Sequence, residues 1–94
     1  MKGFRYYGEF QNNESDGKGV QVSTSQKKYV GDFKADVPDG KGIYYDPSGE
    51  TYDGEMKEGL RDGQGSTTAK GEVKYRGGWK KGKMHGEGTA FEDG

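Results

Sequence analysis

The chain contains no cysteine, so neither a disulfide framework nor a thiolate metal site can be built from it. It has one histidine, His85, so a His-rich metal site cannot be assembled from this chain alone. No apolar run approaches the length of a signal peptide or a spanning helix. Position 2 is Lys, not Gly, which excludes a myristoylation signal. These absences predict a soluble, cytoplasmic chain with no metal and no cofactor. Asn13-Glu14-Ser15 matches a glycosylation sequon that such a compartment leaves unused. Aliphatic side chains are also scarce: Leu, Ile, Val and Phe together number eleven, and 27% of the chain is apolar. At that composition disorder is the default. Two features oppose it. The formal net charge is only −1, so self-repulsion is small, and 13% of the residues are aromatic, each ring able to bury a large apolar area. A thin, sheet-like architecture fits this balance better than a core of ordinary thickness.

What the sequence has in quantity is glycine, 19 residues of it, and the glycines are periodic. Tyr6, Tyr29, Tyr52 and Tyr75 stand 23 residues apart. Two places after each comes Gly8, Gly31, Gly54 or Gly77, and two further on comes Phe10, Phe33, Met56 or Trp79. Later in each unit stands a Gly-x-Gly pair: Gly17 and Gly19, Gly40 and Gly42, Gly63 and Gly65, Gly86 and Gly88. The array fills residues 6 to 94, as repeats 6–28, 29–51, 52–74 and 75–94 of a single domain, and a fixed period of this length marks a repeat architecture.

Within a unit, Tyr-x-Gly-x-ring is a period-two pattern whose three positions share one face of a strand. A glycine between two rings leaves bare backbone on which an aromatic from a neighbouring strand can lie. The Gly-x-Gly pair is expected to do the same on the partner strand. Turn-forming stretches follow each strand, among them Lys57-Glu58-Gly59-Leu60-Arg61-Asp62, Asp46-Pro47-Ser48-Gly49 and Glu92-Asp93-Gly94. No stretch carries the i, i+3, i+4 spacing of an amphipathic helix, and the glycine density disfavours one. Each unit therefore reads as a hairpin, and the chain as an all-β antiparallel meander. A lone hairpin is marginal in water, so the units must stabilise one another.

The run from Tyr75 through Gly88, Tyr-Arg-Gly-Gly-Trp-Lys-Lys-Gly-Lys-Met-His-Gly-Glu-Gly, resembles a full MORN repeat (membrane occupation and recognition nexus), and Tyr52 through Gly65 is similarly close. The resemblance covers about nine-tenths of the chain. It implies an elongated, twisted antiparallel sheet with one hairpin per repeat and an aromatic–glycine face. It also implies non-catalytic repeats that attach to anionic phospholipid or assemble with protein partners or a second copy. Repeats one and two depart from the pattern, with Asn13 and Asp36 where Gly59 and Gly82 stand later, and with turn chemistry that includes Val37-Pro38. Gln26 replaces the glycine found at Gly49, and Thr67-Thr68 replaces Tyr44-Tyr45, which leaves the second strand of repeat three weakly apolar.

No catalytic constellation is visible. His85 occupies a column otherwise held by Asp16, Asp39 and Asp62 and reads as a turn residue; Asp36 and Asp39 read as solvated turn carboxylates. The segment Gly77 to Met84 imitates a phosphate loop but ends in Met where a hydroxyl must meet magnesium, and the Gly-x-Gly pairs lack the third glycine and the helix of a dinucleotide site. The chain is accordingly expected not to be an enzyme and to take no small-molecule substrate.

Charge is uneven. Residues 1–73 hold ten basic and thirteen acidic residues, a net of −3, while residues 74–94 hold five and three, a net of +2. The basic five are Lys74, Arg76, Lys80, Lys81 and Lys83, a candidate contact for an anionic headgroup, each near-surface charge adding about 1 kcal/mol. The slightly acidic whole argues against nucleic acid. Because a one-layer sheet cannot bury both faces, part of the aromatic–glycine surface is expected to stay open as an interaction groove. The partner-facing residues would then be Tyr6, Phe10, Tyr29, Phe33, Tyr52, Met56, Tyr75 and Trp79. The favoured expectation is a scaffold binding a protein partner or a second copy through that face, near a membrane or cytoskeletal structure. Peripheral binding of a phosphoinositide-type lipid through repeat four is the alternative.

Overall fold

A computed structural model describes residues 3–91 of the chain. It is all-β: eight strands, β1 (Phe4–Gln11), β2 (Glu14–Ser23), β3 (Lys28–Lys34), β4 (Val37–Tyr45), β5 (Thr51–Lys57), β6 (Leu60–Ala69), β7 (Glu72–Lys80) and β8 (Lys83–Ala90). They form one antiparallel sheet in chain order, measuring 47 × 25 × 17 Å. Each repeat is one hairpin, β1–β2 through β7–β8. The turn expected at Glu92-Asp93-Gly94 lies outside the described residues.

The hairpins close through loops of two residues, since Gln11 faces Glu14, Lys34 faces Val37, Lys57 faces Leu60 and Lys80 faces Lys83. Both central residues have positive φ in every loop: Asn12 and Asn13, Ala35 and Asp36, Glu58 and Gly59, Lys81 and Gly82. That is the conformation whose twist matches the flanking strands. The expected change of turn in repeats one and two is therefore only a change of side chain. Val37 and Pro38 belong to β4 and leave loop length untouched.

The sheet is organised by one row of glycines. Gly8 faces Gly19, Gly19 faces Gly31, Gly31 faces Gly42, and the pairing continues through Gly54, Gly65 and Gly77 to Gly88. All eight strands thus cross a common line with no side chain on it. Within each hairpin the two glycines approach so closely that a Cβ on Gly54 would sit within 3 Å of Gly65 Cα and of the Gln64 carbonyl. A Cβ on Gly65 would strike the Tyr52 ring instead, and Gly19, Gly42 and Gly88 stand in the same relation to Tyr6, Tyr29 and Tyr75. The covering aromatic is therefore the tyrosine of the hairpin's own first strand, not one from a neighbouring hairpin. Its hydroxyl donates to the carbonyl three residues on: Tyr6 to Glu9 at 2.7 Å, Tyr29 to Asp32 at 3.2 Å, Tyr52 to Glu55 at 2.7 Å and Tyr75 to Gly78 at 3.0 Å.

The two glycines of each Gly-x-Gly pair do different work. The second lies in the row, while the first sits in a β-bulge just beyond it, with φ of +93° at Gly17 and +105° at Gly63. There one residue of the first strand opposes three of the second, as between Gly8/Phe10 and Ser15/Gly19. The lone residue turns a carboxylate into the gap: Glu9 accepts from the Lys18 N–H at 2.6 Å, Asp32 from Lys41 at 3.0 Å and Glu55 from Gln64 at 2.6 Å.

Successive hairpins are joined at their tips. The Asp36, Gly59 and Gly82 amides donate to the Ser15, Pro38 and Arg61 carbonyls at 3.0, 2.9 and 2.8 Å. Asp39 and Asp62 accept from the Glu58 and Lys81 amides at 3.1 and 3.3 Å. Asp36 reaches back to buried Ser15, accepting from its amide at 2.7 Å and its hydroxyl at 3.2 Å. Asp36 and Asp39, expected as solvated turn residues, are thus fasteners between repeats. At the opposite end the connections differ. Ser23 to Lys28 and Asp46 to Glu50 are closed by local hydrogen bonds, whereas Lys70-Gly71 is a two-residue turn with an irregularity after Thr67. Thr67 itself is buried, and β6 runs ten residues despite its low apolar content.

Two outcomes test this geometry. Gly54→Ala has no flexible neighbour to displace and should cost about 3 kcal/mol, lowering the thermal midpoint by roughly 15 °C for a chain of this length. Ala35→Asn places in repeat two the residue type that repeat one already uses at φ +54°. It should raise stability by about 0.5–1 kcal/mol in urea titration, because Asn tolerates this region better than Ala.

Candidate functional site

The ring column folds into two groups of edge-on rings that share one buried cluster with Met56. Tyr6 makes edge contacts with Phe10 of its own repeat and Phe33 of the next, at centroid separations of 5.0 and 4.9 Å. Tyr29 meets Phe33 at 5.2 Å, and Tyr52 and Tyr75 both meet Trp79 at 5.4 Å. Tyr6 and Tyr52 thus carry packing into the next repeat, while Tyr29 and Tyr75 pack on the ring of their own. The Trp79 indole N–H donates to the Gly65 carbonyl at 3.1 Å. Arg61, absent from the sequence-based site, lays its guanidinium over Tyr52 and Trp79, 4.7 and 5.1 Å from their centroids.

This packing uses up most of the face expected to receive a partner. Tyr29, Phe33, Tyr52, Met56 and Trp79 are buried, with Tyr52 at 0% exposure. Tyr6 and Tyr75 are half-buried, and of the eight residues only Phe10, at 62%, is open. An open groove along the rings is not what the fold presents. Burial also governs the phenols: desolvation, assisted by the charge of Asp32, pushes Tyr29 up to about 12, and desolvation pushes Tyr52 to about 12 against an opposing pull from Arg61.

The basic residues of repeat four divide into two places. Lys80, Lys81 and Lys83 are exposed at the last hairpin tip, beside exposed Met84. Arg76 is exposed further along β7, and half-buried Lys74 pairs with Glu72 at 3.5 Å. Six residues separate Lys74 from Lys80, about 20 Å along a strand, so the five do not converge on one headgroup.

The face opposite the rings carries an arrangement that was not expected. Tyr7, Val20, Val30 and Ile43 stand directly across from one another on β1 to β4. They form an apolar row alongside the glycine row, with no second layer over it. Charged residues two places away on the same strands share its face: Arg5 and Lys28 along one side, and Glu9, Lys18, Asp32 and Lys41 along the other. Lys18 pairs with Asp32, whose carboxyl is held below the usual range first by that Lys18 hydrogen bond and then by the Lys41 amide. In β5 to β8 the row continues as Asp53, Ser66, Arg76 and Thr89. The signal was present in the sequence as a further 23-residue column, Tyr7, Val30, Asp53 and Arg76, whose character changes midway.

A one-layer meander in which each hairpin repeats a tyrosine clasp over paired glycines defines a class of tandem-hairpin repeat proteins. The MORN repeat model matches residues 6–27, 29–51, 52–71 and 75–94. The chain belongs to the MORN-repeat family, a non-enzymatic repeat module generally thought to mediate protein or membrane-lipid interactions. No curated protein matches it.

The buried phenols generate a pH prediction. Their folded pKa lies above the unfolded value near 10, so the neutral ring stabilises the fold below pH 10, and this contribution is lost as pH rises from 10 towards 12. Alkaline titration followed by circular dichroism should show cooperative unfolding in that window, moving to higher pH in Tyr29→Phe.

Proposed function

We propose that the chain is a non-catalytic scaffold that binds a protein partner on the face opposite its rings, through the apolar row of repeats one and two. The observation that carries this reading is the uncovered row Tyr7, Val20, Val30 and Ile43, with Tyr7 58% exposed. Contiguous apolar surface without a second layer marks an interaction surface. The rings do not compete for this role, because they are committed to holding the hairpins together. Arg5 and Lys28, on the side of the row away from the Lys18–Asp32 pair, favour a partner with acidic residues on that side of the apolar strip.

A photo-crosslinking side chain at position 7 should capture a discrete protein from an extract of the source organism, and Ile43→Glu should abolish the adduct. The same group at position 53, in the polar half of the row, should capture none. Equal adducts from both positions, or adducts indifferent to Ile43→Glu, would overturn the proposal.

One observation favours a second reading, peripheral binding of anionic lipid: Lys80, Lys81, Lys83 and Met84 are all exposed at one hairpin tip. Co-sedimentation with phosphoinositide vesicles, lost on replacing the three lysines by Glu and kept in Ile43→Glu, would establish that reading in place of the first.

A further inference from the structure

Three hairpins fill their own bulge with a carboxylate, and the fourth does not. Over Gly17 and Gly63 the carboxylates of Glu9 and Glu55 take the space a Cβ would need, and Asp32 does so over Gly40. Each accepts the amide of the next residue, Lys18, Gln64 or Lys41. The register shift that forms this seat persists in repeat four, with the His85 carbonyl standing where the other hairpins carry the Cβ of the lone residue. Gly77 faces Gly88 and Trp79 faces Met84 across the same register shift, and Gly86 keeps a positive φ of 75°. The residue that should fill the seat is Gly78, which has no side chain. Nothing lies within 4 Å of the position a Cβ on Gly86 would take. The His85 carbonyl stands so close to Gly78 that residue 78 cannot carry a side chain without a backbone shift.

The result is a shallow hollow of about 940 Å³, with Gln64, Arg76, Trp79 and Glu87 among its walls. Arg76 is exposed at its edge and stands in the column where repeat three has Asp53. The one bulge without an internal carboxylate is thus the one with an arginine beside it. By register Glu87 stands where Lys18, Lys41 and Gln64 stand in the other hairpins. The Glu87 side chain is a like charge at the rim, and among the described residues no ion pair joins it to Arg76.

We propose that the repeat-four bulge is a receptor for a carboxylate from a partner protein, an acidic side chain in an extended peptide that takes the place Glu9, Asp32 and Glu55 take in their own repeats. The Glu87 amide donates to it as the matching amides do, and Arg76 supplies the charge that makes the hydrogen bond strong. The inference rests on the reading of the chain as a protein-interaction module. It concerns a different surface from the Tyr7–Ile43 row, so crosslinking at position 7 and binding at this hollow succeed or fail separately.

The test is a nitrogen–proton NMR titration of the full chain with a capped six-residue peptide holding a single Glu, beside the same peptide with Gln. The Glu peptide should shift the Glu87 amide and the Arg76 side-chain resonance, and the Gln peptide should not. Arg76→Val, which installs the repeat-two residue, should weaken binding by about tenfold, the size of one charge-assisted hydrogen bond. Glu87→Gln, which keeps the backbone donor, should tighten it by about twofold through loss of an exposed like charge. Glu87 shifts that are equal for the two peptides, or absent at millimolar Glu peptide, would overturn the proposal. So would affinity unchanged by Arg76→Val in a protein whose spectrum shows it folded.

Discussion

Everything in this sheet depends on the contact between a tyrosine ring and a pair of glycines facing each other across a hairpin. The glycines let two backbones approach more closely than any side chain allows, and the ring closes over the bare strip they leave. The hydroxyl then finds a carbonyl of its own strand, which satisfies the one polar atom that burial would otherwise penalise. One hairpin with one such clasp would be marginal. Four clasps in register place eight glycines on one line, and the intervening Phe, Met and Trp side chains connect each clasp to the next. A chain with eleven Leu, Ile, Val and Phe residues can be folded this way because its core is one buried cluster of rings one layer deep.

That economy determines what is left for function. The rings that hold the hairpins together are largely covered, so the surface left open is the opposite face and the places where the repeats differ. The opposite face is apolar through Tyr7, Val20, Val30 and Ile43, then polar through Asp53, Ser66, Arg76 and Thr89. Clasp residues repeat because the backbone demands them. The residues between them vary because the fold places little demand on them.

The period, the hairpins and the all-β fold were legible because each is carried by residues whose chemistry admits few alternatives: Tyr6 and its equivalents, and the glycines two places on. The distinction within each Gly-x-Gly pair was not legible. Gly17 and Gly19 are alike as residues, and only the bulge, a property of two strands together, gives one a positive φ and the other a ring above it. Asp36 read as a departure from the pattern because its role lies in the neighbouring repeat, at Ser15. The closed ring face was missed for a related reason. Counting apolar residues says how much can be buried, but not that tyrosines would bridge repeats and leave Tyr52 with no exposure at all. The seat columns, Glu9-Asp32-Glu55-Gly78 and Tyr7-Val30-Asp53-Arg76, share the same period but carry no motif, and only the bulge, a property of two paired strands, gives them a role.

The central claim is that the clasps form one cooperative unit, and amide hydrogen exchange in Tyr52→Ala tests it most directly. Tyr52 is fully buried in repeat three and touches Trp79 of repeat four. Its loss should remove about 3–5 kcal/mol and lower protection in β1 and β8 together with that in β5 and β6. Wild-type protection retained in β1–β2 and β7–β8, with loss confined to repeat three, would show that the hairpins stand independently and would contradict the account.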